Sequence, residues 1–295
     1  MFSIKSEYNS EKYFVIFTIN CSNIYNWYYS LNNLIEKYKG FIFDLDGTIY
    51  RGTHLISDAD KTVNHLKKLG KKIIFISNKT TGSVKDYYQF LSGNGLLITE
   101  SEIVNSTIVI KKYLNENFNG ASFFAIGEQI FIEELKSAGL NYSENPADIN
   151  VLVVTLDRTL NYEKLEIAAR ALEKGARFFS ANIDDTCSVD DGEVLDAGST
   201  ISALEKRTHK KLELHFGKPS NFMFEEIRRR IQTDPSKLLL VGDRLETDIA
   251  MGNKFGIDTA LVDTGVRYFP NGLNGITPTY HLNSVFDLLN HKAKF

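Results

Sequence analysis

Cysteine is scarce in this sequence, with only Cys21 and Cys187 among 295 residues. Two cysteines cannot build a disulfide framework, and this pair lacks metal-site spacing. Long apolar runs are also missing, since no stretch reaches the roughly 18 residues of a membrane-spanning helix. Segment 13–19 comes nearest to a signal-peptide core, but it is short and glutamates precede it. These absences argue against disulfide-stapled and membrane proteins and favour a reducing, cytoplasmic location.

A surplus of basic charge is absent as well. The formal net charge is -3, whereas nucleic-acid binding normally rests on clustered Lys and Arg. The tightest basic cluster, 228–230, falls on a predicted helix and is interpreted as a solvated face. We therefore expect no nucleic-acid partner. With 43% apolar residues, a chain of this length can bury at least one large core.

The first 37 residues differ from the rest, being rich in Asn, Tyr and Ser without clear periodicity. An element packed on a domain edge and a partly disordered leader both fit them. From Lys39 onward, short apolar runs alternate with amphipathic stretches, which predicts an α/β fold with a parallel sheet covered on both faces. Thr99 and Glu102 predict a capping box for a helix running through Ile103. Predicted strands include 41–43, 73–76, 123–126, 151–154, 177–179, 238–241 and 259–262.

The most informative segment is Phe41-Ile-Phe-Asp44-Leu-Asp46-Gly47-Thr48, in which an apolar strand ends in two aspartates. Residues two apart on an extended chain point the same way, so both carboxylates leave the sheet at its C-terminal edge. Open α/β sheets bind ligands at that edge. Carboxylates this close repel unless a cation lies between them or one is protonated. Mg²⁺ prefers such oxygen ligands. A simple Asp-Gly turn explains Asp46 but not Asp44 at the end of a buried strand.

A second apolar strand, 238–241, also ends in an acidic turn. Asp243 follows the strand directly, where it could bind a metal. Asp248 falls in the first turn of a predicted helix, where a carboxylate that complements the helix dipole is the alternative interpretation. Two acidic strand ends in one sheet favour a metal site more than either does alone.

Two weaker segments offer groups for a phosphate. Strand 73–76 ends in Ser77 and Asn78 just before a helix, an arrangement that presents donors to a bound anion. Lys218 lies in a Gly-Lys-Pro turn ahead of another helix. Each is common in ordinary turns, and most lysines are solvated.

Together the four segments resemble the haloacid dehalogenase superfamily. The Asp44–Thr48 segment resembles its first motif, Ser77 the second, Lys218 the third and 242–248 the fourth. Closer similarity is to subfamily IIA, typified by NagD, 4-nitrophenylphosphatases, phosphoglycolate phosphatases and pyridoxal-phosphate phosphatase. The resemblance covers about 39–289. The segments that carry the closer similarity are 46–52, 217–220, 241–249 and 263–266.

The resemblance implies a Rossmann-like parallel-sheet core with a large inserted α/β cap domain of the C2 type. The chain between Ser77 and Lys218 is also far longer than one crossover needs, which independently predicts an insertion. The expected organisation is an N-terminal extension at 1–37, a catalytic core at 38–119 and 207–295, and a cap at 120–206.

The resemblance also implies the chemistry. Asp44 would attack phosphorus and form an aspartyl-phosphate, while Asp46 would act as general acid and then general base. Lys218 would stabilise the transferring phosphate. The implied Mg²⁺ site consists of Asp44, Asp46 through its backbone carbonyl, and Asp243, with Asp248 orienting the outer shell or Lys218. The implied phosphate-binding groups are Ser77, Asn78, Lys79 and Lys218.

Asp46 separates two reaction classes, because dehalogenases of the superfamily lack an aspartate at this place. Its presence favours phosphoryl transfer. One residue departs from the family pattern: relatives commonly carry a second Asn after the Asn of the second motif, whereas this chain has Lys79. That change adds positive charge near the phosphate or at the cap hinge.

Substrate choice is expected to depend on the cap loop at 182–192, which resembles the loop that descends on the active site in relatives. Asn182 and Asp184 are the specificity candidates. The loop is acidic, so we predict poor acceptance of a second phosphate or carboxylate unless a basic side chain such as Lys79 compensates. An exposed acidic hairpin is the alternative interpretation.

The leading prediction is a Mg²⁺-dependent phosphatase for a small phosphorylated metabolite, such as a sugar phosphate, phosphoglycolate, pyridoxal phosphate or a nucleotide. Phosphoryl transfer to an acceptor other than water is one alternative. A non-catalytic phosphate-binding protein is another, since receiver-type domains also carry acidic strand ends and a lysine. Asp46 and the long insertion argue against a receiver. Cap-mediated pairing in relatives makes a homodimer a further hypothesis.

Overall fold

The computed structural model describes residues 34–189, 192–265 and 275–290. Most of the predicted extension at 1–37, including segment 13–19, lies outside these residues. The strands are β1 Gly40–Asp44, β2 Tyr50–Arg51, β3 His54–Leu55, β4 Lys72–Ser77, β5 Ile103–Asn105, β6 Ser122–Ile126, β7 Asn141–Tyr142, β8 Val151–Val154, β9 Arg177–Ser180, β10 Thr186–Val189, β11 Gly192–Leu195, β12 Leu214–His215, β13 Leu238–Gly242, β14 Asp258–Val262 and β15 Tyr280–Leu282. The α-helices are α1 Leu34–Lys37, α2 Ala59–Lys68, α3 Val84–Gly93, α4 Ser106–Asn117, α5 Gln129–Lys136, α6 Tyr162–Glu173, α7 Ala197–Thr208, α8 Asn221–Ile231, α9 Ala250–Phe255 and α10 Asp287–Asn290.

The larger sheet has six parallel strands in the order β15-β14-β13-β1-β4-β5. β1 and β13 are buried along their whole length, which is why they are almost continuously apolar in sequence. β1 lies at the centre, and the chain extends the sheet from it in both directions. This is a topological switch point, where the carboxyl ends of neighbouring strands open a crevice. The predicted α/β fold with a parallel sheet is confirmed.

A second parallel sheet contains five strands in the order β12-β9-β8-β6-β7. An antiparallel hairpin, β10 with β11, extends from it. The predicted cap boundary at 206 falls inside α7, and β12 belongs to the second sheet although it follows that boundary. The division of the chain into core and cap domains stays a prediction.

One apolar cluster joins the two sheets. It contains Ile42 and Ile76 of the larger sheet and Phe123 and Phe179 of the second, all fully buried. Tyr113 of α4 packs edge-on against Phe179, with ring centroids 6.0 Å apart. Because both sheets bury side chains in the same cluster, their relative position is held by apolar packing as well as by the polar contacts described below.

The helix predicted through Ile103 is wrong at its start. Thr99 and Glu102 do form the predicted capping box, but it closes a single 3₁₀ turn, Glu100–Glu102. Ile103 then begins β5, which pairs with β4 at the sheet edge. β-Branched residues favour a strand where a buried edge is available. The helix begins only at Ser106, where the side chain of Asn105 accepts a hydrogen bond from the Ile108 amide at 3.0 Å.

Across 34–189, 192–265 and 275–290, no helix has the length and apolar character that crossing a bilayer requires.

Candidate active site

Three neighbouring strands of the larger sheet deliver the predicted polar groups to one edge. Asp44 is the last residue of β1, Ser77 is the last of β4, and Asp243 directly follows β13. The parallel register aligns Asp44 with Ile76 and Phe43 with Val241, so these ends lie side by side. The carboxylates therefore meet in the crevice at the switch point.

Asp44, Asp243 and Asp248 form a buried carboxylate triad in which each offers an oxygen within 4.8 Å of the others. Glycines make room for it. A Cβ on Gly242 would overlap the Asp248 carboxylate, and one on Gly47, which has a φ of +79°, would overlap Asp243 Oδ2. Only a residue without a side chain lets the backbone approach so closely.

Lys218 is a buried cation in contact with two members of this triad. Its Nζ pairs with Asp44 Oδ1 and, at 2.8 Å, with Asp248 Oδ1. Burial alone would lower the pKa of Lys218, but the Asp248 and Asp44 carboxylates outweigh it and raise the pKa above its ordinary value. The Lys218 backbone amide donates to Asn78 Oδ1 at 2.6 Å, which holds the Gly-Lys-Pro turn against the end of β4.

The crowding of carboxylates in the triad affects the pKa of Asp44. Burial raises the pKa of Asp44 well above its usual range, with Asp248 and Asp243 adding to the effect and Lys218 opposing it. Carboxylates this close to one another repel, and a divalent cation between them would relieve that repulsion. Mg²⁺ prefers carboxylate oxygens and keeps several waters. The residues therefore fit a divalent metal, and Asp248 lies in the triad itself while also binding Lys218.

The Asp46 side chain lies apart from the triad. Its Oδ1 accepts from Lys79 Nζ at 2.9 Å, and its Oδ2 accepts from the Tyr50 hydroxyl at 2.8 Å. Burial by itself would lower the pKa of Lys79, but the Asp46 carboxylate raises it. Lys79 is thus brought to Asp46 rather than to the triad. No pattern in the sequence indicated a role for Tyr50.

The second-motif residues reach both sheets. Ser77 Oγ accepts from the Lys79 amide at 3.1 Å. Asn78 is buried, and its Nδ2 donates to Asp184 Oδ2 at 2.7 Å. Asp184 follows β9 of the second sheet, 106 residues further along the chain. Asn78 therefore links the end of β4, the Lys218 turn and the second sheet.

The predicted specificity residues Asn182 and Asp184 are buried, not exposed. Asn182 Nδ2 donates to Asp184 Oδ2 and to Asp196 Oδ1, each at 3.0 Å. Burial, with repulsion from Asp184, raises the pKa of Asp196 to about 6. Asn182 Oδ1 accepts from Thr155, whose hydroxyl lies 2.7 Å from that of Thr80. Asp190 and Asp191, at the tip of the predicted acidic loop, lie outside the described residues.

A cavity of about 50 Å³ lies between these groups. Sequence reasoning missed Arg244, Cys187 and Asp196 in its walls. The position of Arg244 directly after Asp243 is the one sequence feature that could have indicated its place in the site. Burial raises the pKa of Cys187 to about 11 despite nearby Lys79, so its thiol stays protonated at neutral pH. The lining residues are Asp44, Asp46, Ser77, Asn78, Lys79, Asp184, Thr186, Cys187, Asp196, Lys218 and Arg244.

Comparison with known proteins gives consistent matches. Residues 41–141 match the model of the haloacid dehalogenase-like hydrolases, and residues 215–288 match a second model of that group. The sugar-phosphatase AraL of Bacillus subtilis is 34% identical over 250 residues, which cover 84% of this chain and 91% of that protein. Phosphoglycolate phosphatase 1A of Arabidopsis thaliana is 31% identical over 288 residues, covering 89% and 79%. The structure of a p-nitrophenyl phosphatase from Archaeoglobus fulgidus superposes with a TM-score of 0.78 at 33% identity, covering 86% and 98%.

Proposed function

We propose that this chain hydrolyses a small phosphorylated metabolite, because it belongs to the haloacid dehalogenase-like hydrolases, within their NagD-like subfamily IIA, and is a phosphoric monoester hydrolase. The proposed reaction passes through an aspartyl-phosphate on Asp44, with Mg²⁺ as the cofactor. The single observation that carries the proposal is the buried triad of Asp44, Asp243 and Asp248 in contact with one lysine.

Five residues that line the cavity have roles in this mechanism. The Asp44 carboxylate attacks phosphorus, and the bond from phosphorus to the ester oxygen breaks. Asp46 donates a proton to that oxygen and afterwards takes one from the water that hydrolyses the aspartyl-phosphate. Lys218, Ser77 and Asn78 stabilise the phosphate oxygens with positive charge and hydrogen-bond donors.

The metal would be held by Asp44, Asp243 and Asp248, with the Asp46 backbone carbonyl as a further ligand. When bound, Mg²⁺ neutralises charge on the transferring phosphoryl group. Lys218 helps to position these ligands, because its two ion pairs hold Asp44 and Asp248 in place.

We further infer that the second sheet is the cap that encloses the substrate. The buried contact of Asn78 with Asp184 and the location of the cavity between the two sheets support this role. The named relatives act on a sugar phosphate, phosphoglycolate or p-nitrophenyl phosphate, which supports a small substrate. A cytoplasmic location is the proposal that fits the scarcity of cysteine in the sequence.

The decisive experiment is hydrolysis of 4-nitrophenyl phosphate with Mg²⁺ by the wild type and Asp44→Asn. We expect the substitution to reduce kcat by roughly a thousandfold or more, because the amide cannot attack phosphorus. Acid-quenched wild type incubated with labelled substrate should carry a hydroxylamine-sensitive phosphate, and chelation with EDTA should abolish turnover.

Asp60→Asn makes the same chemical change on α2 and should retain wild-type activity. Turnover by Asp44→Asn within tenfold of the wild type, or full activity after chelation, would contradict the proposal.

A further inference from the structure

Arg244 is a largely buried cation that makes only long ion pairs among the described residues. Its side chain is 13% exposed and lines the same cavity as Asp44 and Asp46. Its nearest carboxylates are Glu193 at 3.8 Å and Glu246 at 3.7 Å, both beyond hydrogen-bond distance and both about half exposed. Within the part of the chain that the structure describes, its guanidinium donates no hydrogen bond. Buried polar groups are nearly always hydrogen-bonded, and a guanidinium has five donors to satisfy.

The other cations of the cavity are already committed. Lys218 pairs with Asp44 and Asp248, and Lys79 pairs with Asp46 at 2.9 Å. Among the described residues lining the cavity, Arg244 is thus the cation left to bind a ligand.

The acidic groups on the cap side accept their hydrogen bonds from donors other than Arg244. Asp184 accepts from the amides of Asn78 and Asn182. Asp196 accepts from Asn182 and, at 2.5 Å, from the Ala197 backbone amide. Glu193 accepts from Thr186 across the hairpin. Burial alone would lower the pKa of Arg244, but nearby carboxylates, led by Asp184 and Asp243, raise it. Among the described residues none of these carboxylates accepts a hydrogen bond from the guanidinium, so its donors can bind a ligand.

We propose that Arg244 binds an anionic group on the alcohol part of the substrate and so selects small phosphate monoesters that carry a carboxylate or a second phosphate. This inference rests on the proposed function. Guanidinium groups bind carboxylate and phosphate oxygens through two parallel hydrogen bonds. Arg244 follows Asp243 directly, so it reaches the cavity from the same strand end as the metal triad. A site built around such a donor set discriminates strongly against a ligand that leaves it unpaired.

The test compares esters that differ only in the anion. 2-Phosphoglycolate is paired with 2-hydroxyethyl phosphate, and 1,3-propanediol bisphosphate is paired with 3-hydroxypropyl phosphate. We expect the wild type to prefer the anionic member of at least one pair in kcat/KM. Arg244→Gln should lower that preference at least tenfold, mainly by raising KM for the anionic ester. Arg244→Lys should recover part of it, and the pair that responds identifies the anion.

Arg207→Gln is the matched control, because Arg207 pairs with Glu173 on the exposed surface of the cap. It should leave both preferences unchanged. A preference in Arg244→Gln within twofold of the wild type for both pairs would overturn the proposal, as would equal losses on anionic and neutral esters, which would assign Arg244 to support of the triad. A wild type without preference for either anion would also overturn it.

A binding measurement separates this inference from the proposed mechanism. Calorimetric titration of the Asp44→Asn protein with 2-phosphoglycolate and the bisphosphate requires no turnover. We expect the double variant Asp44→Asn, Arg244→Gln to bind at least one of these two ligands at least tenfold more weakly than Asp44→Asn alone. Unchanged binding of both would overturn the inference even where hydrolysis proceeds as proposed, and a loss of binding would support it even if hydrolysis failed.

Discussion

The Asp46 carboxylate is held at both oxygens, by Lys79 on one side and by Tyr50 on the other. Two donors fix its orientation, which would matter for the proposed acid and base role of this group. Lys79 is the residue that departs from the family pattern in the sequence, and in this chain it is a charged donor to Asp46. The sequence drew attention to Lys79 as a departure from the pattern, but it could not show that its partner is Asp46.

Asp196 makes stability depend on pH. Burial, together with repulsion from Asp184, raises its pKa to about 6, above the usual 3.8. The folded protein therefore holds this proton up to a higher pH than the unfolded chain does. Stability from this group is fully present below about pH 4 and is lost as the pH rises through 6.

We predict that Asp196→Asn is more stable than the wild type at pH 7.5 by roughly 1–3 kcal/mol, since about two pKa units separate the folded and unfolded states. The asparagine oxygen can still accept from Ala197 and Asn182. Thermal unfolding of both proteins at pH 4.5 and 7.5 measures the difference in stability between them, and this difference should be smaller at the lower pH. A gap of equal size at both values would show that Asp196 titrates normally.

At the scale of elements, the turn after β1 is the most constrained segment of the site. Gly47 combines a φ of +79° with a backbone packed directly against Asp243. Gly70, which ends the turn after α2, has a nearly equal φ of +71°, but open space surrounds the position of its Cβ. A side chain at either glycine would strain the backbone, but only a side chain at Gly47 would also overlap neighbouring atoms.

We predict that Gly47→Ala and Gly70→Ala each lower the free energy of unfolding by about 1 kcal/mol, because alanine disfavours a positive φ. Only Gly47→Ala should also lose activity, by more than tenfold, because its methyl group displaces the Asp243 carboxylate. Chemical unfolding and Mg²⁺-dependent hydrolysis measure the two effects. Equal activity in both variants would show that the turn tolerates the methyl group.

The elements also show what sequence patterns can predict. The strands ending in Asp44, Ser77 and Asp243 are apolar runs followed by polar turns, so their existence and shared edge follow from local periodicity. β5 was missed because its three residues are too few to show a period, and the capping box before it resembles a helix start. Its conformation is decided by pairing with β4, a contact that no local pattern contains.

Contacts between side chains that are far apart in the sequence could not be predicted from it either. Asn78 and Asp184 are 106 residues apart, and nothing in either segment predicts that an amide and a carboxylate meet there. The acidic composition of the cap loop suggested an exposed or anion-rejecting hairpin. In the structure, Asn182 and Asp184 are buried, and Asp184 accepts hydrogen bonds from both Asn78 and Asn182. Composition alone could not reveal these contacts, and the rejection of anions by the loop stays a prediction.

At the scale of the whole molecule, the apolar cluster shared by both sheets couples their stability. Phe179 of β9 is fully buried in it and packs against Phe216, which follows β12, with ring centroids 6.0 Å apart. A cluster that spans both sheets predicts that they unfold together rather than one after the other.

We predict that Phe179→Ala lowers the free energy of unfolding by about 3–5 kcal/mol and shifts one calorimetric transition without splitting it. Tyr162→Ala, at a tyrosine that is 78% exposed on α6, should change stability by less than about 0.5 kcal/mol. Two separate transitions in the wild type would mean that the sheets unfold independently.

The contact of Lys218 with Asp44 spans 174 residues, and this separation has a consequence for synthesis. Asp44 leaves the ribosome early, whereas Lys218 and Asp243 follow only after the entire second sheet has been made. A nascent or truncated chain ending before 218 carries Asp44 without the ammonium that pairs with it and without two members of the triad. Under the proposed mechanism, hydrolytic competence arrives only with the last third of the polypeptide, so we expect an unfinished chain to leave phosphate esters intact.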